Sequence, residues 1–407
     1  MRRTPSIGAS AVAGLAVLVA LLAFGRCAAD AATGEAGEGK VAFGAYVPEA
    51  VEHPQRLDAF ARLAGRMPVI VSYYKQWDSA PFVPAELDAV WRRGAVPMVT
   101  WEPLSYSGKR YPLRQIQRGR FDRYIRKSAR AAARWGRPIL VRFAHEMNGS
   151  WYPWGRGVEG NNSFREKAVW RRVVRIFREQ GAGNVEWVWT PSVNTGGKYP
   201  FRDLYPGDAW VDWVGFDGFN WALRGAWNSF TEIVDNSYEE MAQVSDRPMI
   251  VAETGSSETG GDKAAWVRSA LRREIPKLER IRAVVWFDEH FSEEGGEGES
   301  GLDARVNSSA SSLHAFRAAI SSPEYGLTRA QFLATPSDAD GSATAPDVPS
   351  GGFGQPSLFY RLTHKLHGRY TWYAVGIGLA ALAALAIAFL LARRYLKRRG
   401  PRRGAAA

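Results

Sequence analysis

Residues 138–145 read PILVRFAH, and Glu146 follows directly. So short an apolar run, rich in β-branched and aromatic residues and without clean alternation, suits a strand buried on both faces of a parallel sheet. Its end is the informative part, because Arg142, His145 and Glu146 gather where the apolar strand stops. Working outward, seven further runs of this kind appear: Val41–Val47, Pro68–Tyr74, Ala95–Trp101, Asn184–Thr190, Trp210–Asp217, Arg247–Thr254 and Arg282–Asp288. Helical patterns fill the gaps, most clearly over Phe121–Trp135 and Ser163–Gln180, the second opening on a capping-box pattern of Ser163 with Glu166. A βα unit repeated eight times over residues 40–328 has the size and rhythm of a (β/α)8 TIM barrel. A doubly wound open sheet is the competing architecture, but no Gly-rich phosphate loop follows the first run.

In a TIM barrel the functional groups sit at the C-terminal ends of the strands. Trp101 and Glu102 end the third run, His145 and Glu146 the fourth, Asp217 to Asn220 the sixth, Glu253 the seventh and Trp286 the eighth. Glu146 and Glu253 therefore face each other across one rim. Two carboxyls so placed suit glycoside cleavage, in which one acts as nucleophile and the other as acid and then base. Arg142 on the same strand is placed to keep a carboxylate charged. Sixteen Trp residues are many for 407 residues, as is common where flat sugar faces are stacked, although core filling explains most single Trp residues equally well.

The stretch 141–154, VRFAHEMNGSWYPW, resembles the acid/base signature of glycoside hydrolase family 26, which contains β-mannanases, mixed-linkage β-glucanases and β-1,3-xylanases. The segments 187–191 (WVWTP), 214–220 (VGFDGFN) and 248–253 (PMIVAE) resemble that family's later strands, in order. The resemblance covers roughly 40–320. It implies Glu146 as acid/base, Glu253 as nucleophile, His145 and Trp151 as sugar contacts, and Trp286 as an aromatic platform. Trp101 and Glu102 resemble contacts of the glucanase-like members, and Asn220 and Phe219 join the substrate-binding set. One departure is plain: members usually carry Tyr where this chain has Phe219, and its hydroxyl is expected to bond the nucleophile. Tyr74, from the second run, is the candidate replacement donor.

The net charge of +12 suggests a nucleic-acid partner until it is located. Arg2, Arg3 and Arg26 flank an N-terminal apolar run, and seven Lys and Arg crowd 393–403, leaving +2 for everything else. The basicity thus reports on topology rather than on nucleic acid. Residues 1–31 read as a secretory signal. Residues 372–392 carry no charge over 21 positions, enough for a membrane-crossing helix, with Tyr370, Trp372 and Tyr373 at its entry and the basic tail 393–407 expected in the cytoplasm. A Pro/Gly/Ser-rich disordered linker and juxtamembrane segment, 329–371, joins barrel to anchor. The lone Cys27 excludes a disulfide framework, and the six His are scattered, so neither a metal nor another cofactor is expected. The sequence leaves protein partners open. The expectation is a membrane-anchored, retaining endo-β-glycosidase with its barrel outside the cell, acting on mannan, mixed-linkage glucan or a self-made polysaccharide. The alternative is a non-catalytic glycan-binding or polysaccharide-export accessory protein on the same scaffold.

Overall fold

A computed structural model describes residues 40–105, 107, 109–193, 199–222, 226–290 and 303–334. Eight parallel strands close into a barrel in chain order: β1 (Ala42–Tyr46), β2 (Ile70–Gln76), β3 (Val96–Glu102), β4 (Ile139–Phe143), β5 (Val185–Trp189), β6 (Trp213–Asn220), β7 (Met249–Ser256) and β8 (Ile281–Phe287). Each of the eight apolar runs is one of these strands. Closure runs from Ala42 beside Ala283 to Tyr46 beside Phe287. The outer layer comprises α1 (Gln55–Ala64), α2 (Pro84–Trp91), α3 (Leu113–Gln117), α4 (Asp122–Trp135), α5 (Ser163–Glu179), α6 (Phe201–Leu204), α7 (Phe230–Val244), α8 (Lys263–Ser269) and α9 (Ala310–Ile320).

The capping expectation for α5 is corrected. Its N-cap is Asn162, whose side chain accepts from the Arg165 backbone N–H, while Glu166 turns inward and is buried. Two adjacent polar residues competed for the cap, and the amide oxygen of Asn162 holds the free N–H. A reciprocal capping box does open α7, between Ser229 and Glu232.

The barrel interior is filled by Ile70, Val96, Met98, Leu140, Val188, Trp213 and Ile250, with the small Ala42, Ala252 and Ala283 between them. Alternation along each strand sends the intervening side chains into a second, larger core beneath the helices. Gly215 is required by close approach, since a Cβ there would lie 1.8 Å from the Ile250 carbonyl oxygen. Register shifts at Phe216/Asp217 and between Val251 and Thr254 bring Asp217 level with Glu253. Bulges of this kind re-aim side chains near functional sites.

The expected domain boundary at 328 moves. A short helix, α10 (Arg329–Leu333), plugs the bottom of the barrel, with Phe332 buried and stacked on Trp213 at 5.2 Å. The expected signal (1–31), the rest of the linker, the anchor (372–392) and the basic tail lie outside the described residues. Among the described residues no helix is long and apolar enough to cross a membrane.

Candidate active site

Beyond Phe143 the chain turns sharply, with Ala144 at φ 45° and Glu146 at φ 50°. Left-handed backbone at two non-glycine residues costs roughly 1–2 kcal/mol each, so the surroundings must hold it. The Ala144 N–H donates to the Trp101 carbonyl (3.1 Å) and that of Glu146 to the Thr190 carbonyl (2.8 Å). Asn148 clamps Ser192 in both directions, at 2.8 and 2.9 Å. The Trp154 indole donates to the His145 carbonyl at 2.6 Å and stacks on Tyr152 at 4.3 Å. The signature after β4 is thus a folded loop whose packing aims one carboxyl.

That carboxyl belongs to Glu146. Burial, and then the charge of Glu253, push it up to about 7, while the hydrogen bond from Trp151 pulls the other way. The bond is short, with Trp151 Nε1 donating to Glu146 Oε2 at 2.6 Å. Trp151 is nonetheless 59% exposed, so its ring offers an open face beside the acid. Gly149 makes room for it, since a Cβ there would lie 2.4 Å from the indole.

Glu253 is buried on β7. Arg142 Nη2 and Tyr74 Oη both donate to its Oε1. Arg142 is fully enclosed, with Nε donating to Thr100 Oγ1 (3.0 Å), Nη1 to Asp217 Oδ2 (2.7 Å) and Nη2 also to Tyr74 Oη (3.2 Å). Burial opposes its charge, but Asp217 and Glu253 outweigh that and hold the guanidinium protonated. Tyr74 is half-buried, and the desolvation of its hydroxyl is the main reason it is shifted well above the usual phenol range, so it keeps its proton to donate. Phe219 does lack the expected hydroxyl. Its ring packs against Trp221 (5.2 Å) and Phe287 (5.7 Å), and Tyr74 supplies the donor.

The other expected residues divide. Glu102 points into the site, accepts from Gln76 at 2.8 Å and is pushed up to about 7, chiefly by burial. His145 is buried, its Nε2 within 3.1 Å of the Tyr152 hydroxyl, and burial holds it well below its usual range and therefore neutral. Trp286 and Trp101 do not reach the mouth. Trp286 donates to the Ala304 carbonyl (2.8 Å) and packs on Phe316, while Trp101 donates to Tyr124 (3.2 Å) within an aromatic cluster under the helices. Both fall on the outward parity of their strands. Asn220 is buried with both ends occupied, donating to Ser256 Oγ and accepting from the Asn228 N–H, so it ties two loops together.

The residue facing the mouth from β8 is Phe287, one position on from Trp286. It stacks on Tyr46 at 4.3 Å, and Tyr46 meets Tyr74 edge-on at 5.2 Å. With Phe219 and the partly exposed Trp221 they form an aromatic wall opposite Glu146 that the sequence reading missed. Counting alternate residues along β8 from Ala283 through Val285 would have found Phe287. Among the described residues no group of three or more His, Cys, Asp or Glu is placed to hold a metal ion.

Residues 118–268, which span both glutamates, match the model of glycosyl hydrolase family 26. Endoglucanase H of Acetivibrio thermocellus is 34% identical over 272 residues, covering 65% of this chain and 29% of that protein. A mannan endo-1,4-β-mannosidase of Bacillus subtilis is 31% identical over 175 residues, 41% of this chain and 44% of its own. The chain thus spans less than half the length of either relative. Among solved structures, the catalytic domain of a Bacillus sp. endo-β-1,4-mannanase superposes with a TM-score of 0.56 at 18% identity, covering 72% of this chain and 88% of that one. A modular endo-β-1,4-mannanase of Cellulomonas fimi gives 0.56 at 18%, with 72% and 73% covered. At such identities the likeness speaks for the fold.

Proposed function

We propose that this chain, whose residues 118–268 match the model of glycosyl hydrolase family 26, is a retaining endo-β-glycosidase cutting β-linked hexose polysaccharide, β-1,4-mannan or mixed-linkage β-1,3-1,4-glucan, by double displacement. The observation that carries the reading is the unequal treatment of two carboxyls at one mouth. Glu146 is held near neutrality as an acid, and Glu253 is fixed by two donors on a single oxygen. Arg142 and Tyr74 occupy Oε1, so Oε2 is the atom presented to the anomeric carbon. In the first step Oε2 bonds to that carbon as Glu146 passes its proton to the departing glycosidic oxygen. Esterification then removes the negative charge of Glu253, one of the two forces raising Glu146. The Glu146 carboxyl then titrates lower and, having given up its proton, stands ionised to take one from water; attack of that water's oxygen on the anomeric carbon releases Glu253. Trp151 gives the sugar ring a flat face beside the acid, and the wall of Phe287, Tyr46, Phe219 and Trp221 bounds the opposite side.

The names of the relatives, endoglucanase and mannan endo-1,4-β-mannosidase, support the substrate classes proposed. The bond from Tyr74 to Glu253 supports the catalytic reading over the non-catalytic alternative, since β2 supplies the hydroxyl that Phe219 lacks. The proposal also places the barrel outside the cell, anchored by 372–392, on the strength of the uncharged run and the basic tail. Release of reducing ends from galactomannan or barley β-glucan by the full chain, lost in Glu253→Ala, tests the activity. Binding of both glycans without turnover would sink it.

A further inference from the structure

The near-neutral charge away from the termini hides a spatial division. Residues 109–179 carry nineteen Lys and Arg against five Asp and Glu, whereas 40–108 and 180–334 together carry twenty-one against thirty. A chain-wide taste for arginine would enrich both parts, and the second part is acidic instead. In the fold the basic stretch is one sector, because α3 and α4 both pack on α5. Its acids are largely used up. Glu166 is buried, Asp122 is held by Arg172 at 2.6 Å and by Arg126 at 3.4 Å, and Glu159 pairs with Arg110 at 3.3 Å. Arg118, Arg120, Arg123 and Lys127 are exposed, as are Arg171, Arg175 and Arg178 on α5.

The α5 cations are ordered. Helical spacing puts Phe164, Ala168, Arg171, Arg175 and Arg178 on one face, a row about 21 Å long that begins at the mouth end of the helix. Phe164 is 74% exposed. Alongside lies an open groove of about 280 Å³ lined by Gln117, Ala168, Arg171, Arg172, Arg175 and Trp210. The Trp210 ring lies 5.3 Å beneath the Arg178 guanidinium. Arginine forks match carboxylates with paired hydrogen bonds, and the exposed face of Phe164 suits a sugar ring. We propose that this face binds an anionic polysaccharide, one whose sugars carry carboxylates, along a track that leaves the catalytic mouth over α5. A bilayer is a poorer fit, because the site is concave and a membrane-seated helix would present several apolar side chains where this row presents one.

The test reads binding without turnover, so it stands apart from the hydrolytic proposal. Full-length chain in detergent would be titrated with polygalacturonate, with neutral galactomannan of similar length, and with phosphatidylglycerol vesicles. Polygalacturonate binding that weakens with salt is expected, with affinity falling about tenfold or more in R118E/R175E. R118K/R175K should keep most of the affinity, and melting temperature checks that both variants fold. Cleavage of neutral galactomannan should be equal in all three proteins. The proposal is overturned if polygalacturonate does not bind at low salt, if the charge reversal leaves its affinity unchanged, or if the vesicles bind more tightly than polygalacturonate and lose more on reversal.

Discussion

Tyr74→Phe deletes one oxygen atom and leaves the ring where it packs, edge-on to Tyr46 at 5.2 Å and to His145 at 5.9 Å. The lost hydroxyl donates to Oε1 of Glu253 and accepts from Arg142 at 3.2 Å. A hydrogen bond to a charged group contributes about 1.5–3 kcal/mol, which at ~1.4 kcal/mol per tenfold predicts a fall of roughly 10- to 100-fold in kcat/KM. Arg142 still holds the same oxygen, so activity should be reduced rather than abolished. The assay is reducing-end release from the better of mannan and β-glucan, with melting temperature as a control. The double variant Tyr74→Phe/Phe219→Tyr returns a phenol from the β6 side and should recover part of the loss. Equal kcat/KM in wild type and Tyr74→Phe would refute the idea that Tyr74 holds the nucleophile.

Trp151→Phe removes the bond that lowers Glu146, so its carboxyl should titrate still higher, and the alkaline limb of the kcat/KM profile, expected near pH 7 in the wild type, should move to higher pH. Phe287→Ala should raise KM with a modest stability loss, whereas Trp286→Ala should cost about 3–5 kcal/mol of stability and leave the KM of the folded fraction unchanged; denaturant unfolding beside kinetics separates the two. Burial with neither oxygen hydrogen-bonded pushes Glu166 up to about 7, above its unfolded value, so its contribution is present at acid pH and lost as pH rises through about 7. Glu166→Gln should therefore gain in melting temperature over the wild type at pH 8 relative to pH 5, and an equal difference at both would contradict this.

The barrel was legible because strands buried on both faces must read as short apolar runs, and all eight did. Glu146 and Glu253 stood out in the sequence because each ends an apolar run inside a segment with a family resemblance; a lone glutamate at a strand end reads equally as a surface ion pair. Parity was the main error. Trp286 and Trp101 drew attention as tryptophans, yet each lies one residue out of phase with the inward positions, Phe287 and Glu102. Asn220 misled for another reason: a polar residue at a strand end also serves to tie loops. The bulges that set Asp217 beside Glu253 depend on neighbouring strands and leave no local trace. Nor did RAQFL at 329–333 announce a helix, being too short for periodicity, and its place was fixed by the open bottom of the barrel. The charge division was present in the sequence throughout, but a sum over the whole chain concealed it.

The most direct test of the central claim is the configuration of the first product. Proton NMR of full-length chain hydrolysing mannan or β-glucan oligosaccharide resolves the new anomeric centre before it mutarotates. Double displacement through Glu253 predicts the β-anomer first, with the α-anomer growing in only by mutarotation. Initial appearance of the α-anomer would mean single displacement and would contradict the role given to Glu253.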